Sequence, residues 1–99
     1  MATKTDSHKP YGKLVKGTVQ TREGPATRDA IEQHGIVAWV TDRALLFEVD
    51  DYGKVWVPLS QICDESEITV EAEVGDEGTV TIPLWLWMRM ELAPEREPS

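Results

Sequence analysis

The sequence predicts a mainly β fold: a small SH3-like or OB-like barrel, or a strongly bent antiparallel sheet, with one or two short helices. Three observations carry this expectation. Ala44–Val49 and Lys54–Leu59 are short apolar segments joined by Asp50-Asp51-Tyr52-Gly53, a hairpin loop of turn-forming residues. Glu67–Val74 alternates acidic or polar residues with apolar ones, the period of a half-buried strand. Gly75-Asp76-Glu77-Gly78 then leads into a further short strand, Thr79–Ile82. Closure into a barrel removes the exposed edges of so small a sheet.

The elements follow in order. Met1–Pro10 is polar and aperiodic and reads as a flexible basic arm. Residues 11–92 form the single small β-rich domain that a chain of 99 residues allows. Within it, Tyr11–Gln20 holds a first strand, and Gly24-Pro25 marks a loop. Asp29-Ala30-Ile31-Glu32 fits a capping box, so a helix of one or two turns is expected there, stopped by Gly35. From Gly35 the period becomes that of strands: Ile36, Ala38 and Val40 alternate with Val37, Trp39 and Thr41. Asp42-Arg43 is a tight turn. The strand from Lys54 stops at Pro58, because proline cannot donate to a ladder. Leu84–Leu92 fits either period. As a strand, Trp85 and Trp87 fall on one face; as a helix, Leu84, Trp85, Met88 and Leu92 share a side. Its good helix formers and the preceding Pro83 favour the helix. Residues 93–99 read as a frayed tail.

Charge divides the chain. Residues 1–28 carry six basic residues against two acids; residues 29–99 carry four against sixteen. An acidic body therefore follows a basic arm, in a chain of net charge −8. Such a body repels nucleic acid and attracts basic protein surfaces. No apolar run approaches the ~20 residues of a membrane helix, and no secretion signal opens the chain. The single cysteine, Cys63, suits a reducing compartment. A cytoplasmic protein is expected.

No catalytic constellation stands out. Ser60 and His34 could join an aspartate, but no nucleophile-elbow motif surrounds Ser60. His8, His34 and Cys63 lack zinc-ligand spacing, and the acidic turns do not match a calcium loop. Gly75–Gly78 lacks the Lys-Ser/Thr of a phosphate cradle. No cofactor and no enzymatic activity are expected.

The aromatic residues are the remaining functional signal. Trp39, Trp56, Trp85 and Trp87 are many for this length, and most are expected in the core. The candidate protein-binding residues are Trp85 and Trp87, with the outward acids Glu71 and Glu73. The alternative is single-stranded nucleic-acid binding, by aromatic stacking on the sheet with help from Lys9, Tyr11, Lys13 and Lys16.

From Lys54 to Trp85 the chain resembles a group of small phage and bacterial proteins. The matching residues are Val55-Trp56-Val57-Pro58 with Ser60-Gln61-Ile62, then Asp64–Ile68, then Gly78-Thr79-Val80 and Trp85. The resemblance implies a phage or mobile-element setting and no particular activity. The chain departs from that pattern after Trp85, where Leu86-Trp87-Met88 replace polar helical residues. That apolar element suggests a contact surface, including one for a homodimer. The expectation is a non-enzymatic, phage-encoded acidic module that binds or inhibits a host nucleic-acid-handling protein complex.

Overall fold

The longest strand, β2 (Gly24–Val40), organises the molecule. The structure, a computed structural model, describes residues 12–91. The basic arm and the tail lie outside those residues, as do Lys9, Tyr11 and Leu92. β1 (Lys13–Thr21) pairs antiparallel with the first half of β2, and β3 (Ala44–Val49) with its second half. β4 (Gly53–Pro58) pairs with β3. β5 (Glu77–Pro83) pairs with Ala30–Ile36 of β2. Ala30, Ile31 and Glu32 pair with β1 and β5 at once, and Gly35 and Ile36 with β3 and β5. So β1 and β3 share one edge of β2, and β5 lies on the other. The sheet is mainly β and antiparallel, as expected, but it does not close into a barrel. A 3-10 turn (Leu59–Gln61) follows β4, and α1 (Leu84–Arg89) follows β5. No helix among the described residues is long and apolar enough to cross a membrane.

The core lies on one face of the sheet. Val37, Phe47 and Val55 form one cross-strand row, Leu45 and Val57 a second, and Ile31 and Ile82 a third. Trp87 projects from α1 into this core and meets Tyr52 in a tilted ring contact, 5.0 Å between centroids. A smaller cluster of Val19, Ala30 and Cys63 sits on the opposite face of β2. There Gly17 is needed for close approach, since a Cβ would lie 2.6 Å from Cys63 Sγ.

Two expected elements are corrected. The short helix at Asp29–Glu32 is part of β2. Ala30 and Ile31, adjacent in sequence, are both buried, which requires apolar cover on two faces. Pairing with two neighbouring strands outweighs a local capping signal. Gly35 lies inside the strand, where a Cβ would strike the Glu48 carbonyl. The turn before β2 is tighter than expected, with Gly24 at φ 116° and Pro25 already in the strand.

The strand expected at Glu67–Val74 does not form. Ile68 is buried, but Val70 and Val74 are exposed. The polar residues of this segment bond to backbone instead, which competes with a ladder. Thr69 Oγ1 accepts from Glu71 N–H and Glu67 Oε1 from Thr79 N–H, while Asp76 Oδ2, just beyond the segment, accepts from Glu73 N–H.

Cys63–Ile68, irregular as it is, terminates two strand edges. On the free edge of β1, Thr18 N–H donates to Glu65 and Thr18 C=O accepts from Asp64 N–H. On the free edge of β5, Thr81 C=O accepts from Cys63 N–H and Thr81 N–H donates to Ser66 Oγ. Thr79 C=O accepts from Ile68 N–H, and Thr79 N–H donates to Glu67 Oε1. Ser66 Oγ–H in turn donates to Ile68 C=O at 2.6 Å.

Ser66→Ala leaves the buried Thr81 N–H without its acceptor, a loss of about 1–3 kcal/mol in urea unfolding of the variant. The Thr18 and Thr79 backbone N–H groups, with their hydroxyls, hold the Glu65 and Glu67 carboxyls below the usual 4.5. These carboxylates therefore add stability above pH 4.5 that is lost as pH falls through their lower folded-state values. Glu67→Gln is expected to flatten that acid limb in stability measured against pH.

Candidate functional site

Residues paired across a ladder share a face, so the register identifies what the uncovered face of the sheet presents. Its central row is Ile36, Glu48 and Lys54, with Glu77 beside Ile36 on β5. The next row is Trp39, Leu46 and Trp56. Trp39 reaches this face only because the register shifts between Val37 and Trp39. Without that bulge at Ala38, Trp39 would share the core face of Val37. A bulge re-aims the side chain that follows it. Trp39 is consequently 56% exposed, Ile36 is exposed, and Leu46 and Trp56 are half-buried.

Acids border this apolar strip. His34, paired with Thr79, lies on the same face beyond Ile36. Its Nδ1–H donates to Asp50 Oδ2 at 2.6 Å, and its Nε2 is 3.6 Å from Glu77 Oε2. The hydrogen bond to Asp50, then the charges of Asp50, Glu77 and Glu67, raise the His34 pKa above 6.5 against a smaller desolvation effect. Glu48 completes the border, and Lys54 is the lone lysine on it.

The expected site residues are dispersed. Trp87 is fully buried and is a core residue, not a docking one. Trp85 is 48% exposed, and it lies away from Glu71 and Glu73, beside Arg28, Lys16 and Asp29. It stands between two shallow grooves that both include Arg28, one of which also includes Lys16. Glu71 and Glu73 are exposed on the loop before β5 rather than on a strand. Lys13 and Lys16 lie on β1, and Lys16 is ion-paired with Asp29. Lys9 and Tyr11 fall outside the described residues. Of the groups weighed for chemistry, Ser60 is on the 3-10 turn and His34 is held by carboxylates on β2. Burial, then Glu65 and Asp64, push the Cys63 thiol up to about 11, which keeps it protonated and unreactive. No group of three metal-ligating side chains occurs among the described residues.

Trp39 and Trp56 were not singled out from the sequence, since Trp39 belongs to the core face in an unbroken alternation. No protein family, curated protein or solved structure matches this chain.

Because His34 is raised by its partners, the stability it adds is complete below pH 6.5 and fades as pH rises through its folded-state value. An NMR titration of the imidazole is expected to give a midpoint above 6.5 that moves down in Asp50→Asn. An unmoved midpoint would show that Asp50 does not hold the ring.

Proposed function

We propose that this chain is a non-enzymatic protein-binding module that docks through the outer face of β2, β3 and β4 onto a partner with a basic surface. The observation that carries the reading is the bulge that turns Trp39 out of the core and into a row with Leu46 and Trp56. A large aromatic side chain held in water is of little use to folding, whereas tryptophan is the residue most able to anchor an interface. Charge selects the partner. Glu48, Asp50, Glu67 and Glu77 stand around this strip with Lys54 and His34, in a body of sixteen acids and four bases. That field repels phosphate and favours a basic protein.

Basic surfaces are what proteins use to hold phosphate backbones. A nucleic-acid-handling protein or complex, bound or inhibited at that surface, is therefore the partner class that fits. A phage-encoded setting in a host cytoplasm goes with this reading and rests on the resemblance across Lys54–Trp85.

The test uses the immobilised chain and a bacterial lysate, with Trp39→Ala, Glu48→Lys and Trp85→Ala beside the parent. A protein is expected that the parent and Trp85→Ala retain, that raised salt elutes, and that Trp39→Ala releases. Measured on that protein, loss of the anchor weakens binding by about 2 kcal/mol, roughly thirtyfold. The reading fails if nothing is retained, or if Trp39→Ala and Glu48→Lys retain the same proteins as the parent.

A further inference from the structure

Besides the outer edge of β4, the sheet has an edge on β2 that Cys63–Ile68 does not reach. Antiparallel residues turn both backbone groups alternately to one neighbour and then the other. On β2, Val37 faces the β5 side, since its N–H donates to Asp76 and its C=O accepts from Gly75. His34 faces the β3 side, because its C=O accepts from Asp50 N–H. The register with β1 and β5 is continuous from Gly24 to Ile36, so odd-numbered residues throughout this stretch face the β5 side. Beyond Ala30 there is no β5 to meet them, for the chain leaves the sheet at Pro83 and enters α1. Thr27 and Asp29 thus present N–H and C=O to an open edge, and no described residue hydrogen-bonds to these backbone groups there. Pro25, the next odd residue, has no N–H and ends the edge.

This edge forms one wall of a groove of about 520 Å³; Leu84, Trp85 and Met88 of α1 form the other. Trp85 and Met88 are exposed although they lie on an element that sends Trp87 into the core and packs Leu84 and Leu86 against it. Arg28 lines the groove and is ion-paired with no described acid, while Lys16 and Asp29, also in its lining, are paired with each other. The hairpin around them, Lys13–Asp29, has four basic residues and two acids, the reverse of the rest of the body.

We infer that this groove binds an extended acidic peptide from a partner protein, added as a strand to the open edge of β2. Backbone groups of the peptide pair with those of Thr27 and Asp29. Its apolar side chains on one face rest on Trp85 and Met88, and a carboxylate meets Arg28, the cation of the groove that no described acid already holds. Strand addition suits an edge with unpaired donors and acceptors, and alternate side-chain contacts give it selectivity. The surface is distinct from the outer face with Trp39, so neither reading depends on the other.

The probe is a short synthetic peptide alternating Asp or Glu with Val or Ile, titrated into the full labelled chain and followed by amide NMR. The expected result is slowed hydrogen exchange at the Thr27 and Asp29 amides together with a shift of the Trp85 indole. Arg28→Glu is expected to weaken binding on the order of tenfold. N-methylation of the peptide on alternate residues abolishes it while leaving the protein untouched, and Trp39→Ala has no effect. Binding of a Lys-for-acid peptide equally well overturns the inference. So does saturation with no added protection at Thr27 and Asp29. A thymidine oligonucleotide that displaces the peptide and gives the same shifts assigns the groove to single-stranded nucleic acid instead. Binding seen only after removal of residues 92–99 assigns the edge to the chain's own end.

Discussion

Everything in this fold depends on how the backbone of its outer strand edges is satisfied. β2 alone pairs with β1, β3 and β5, and that arrangement leaves β1 and β5 each with an outer edge. Three threonines occupy those edges, Thr18, Thr79 and Thr81, and both backbone groups of each find a partner in Cys63–Ile68. At about 0.5–1.5 kcal/mol net for each bond these contacts sum to several kcal/mol. That is a large share of the roughly 5–15 kcal/mol by which a small domain is stable. At the edges of β1 and β5, a segment with no regular structure therefore does the work that strand closure does in a barrel, while β4 keeps its outer edge.

This explains which parts of the sequence were legible. Hairpins are local, so Asp50–Gly53 and the stop at Pro58 announced β3 and β4 correctly. The step from Pro83 into a helix was likewise readable. Asp29–Glu32 misled because its capping box is a local preference, whereas Ala30 and Ile31 are fixed by cover on both faces of β2. Glu67–Val74 misled because alternation measures polarity and not bonding. Its Glu67 holds Thr79 and its Thr69 holds a turn, so the period of two has another cause.

The candidate site was less legible than the fold, for a reason that one residue shows. Trp39 occupies a core position in any unbroken alternation of Ile36–Thr41, and a single extra residue at Ala38 reverses its direction. The bulge is set by the pairing with β3 and leaves no mark in composition. Trp85 and Trp87, two residues apart on a helix, point to different surroundings: solvent beside Arg28 for one, Tyr52 and the core for the other.

The charge division seen in the sequence acquires a spatial meaning from the same strand. The first half of β2 belongs to a hairpin rich in lysine and arginine, and its second half to a face bordered by Glu48, Asp50 and Glu77. A single extended strand thus carries two surfaces of opposite sign. The bulge at Ala38 gives one of them its exposed aromatic. The departure of β5 at Pro83 gives the other its open backbone and sets Trp85 beside it. Both are irregularities in an otherwise continuous register, and both occur where a neighbouring strand changes. β2 runs past β5 at both ends, where its pairing continues with β1 on one side and with β3 on the other. Where β5 is absent, that pairing leaves the opposite edge of β2 open beyond Ala30, and the bulge at Ala38 turns Trp39 away from the core.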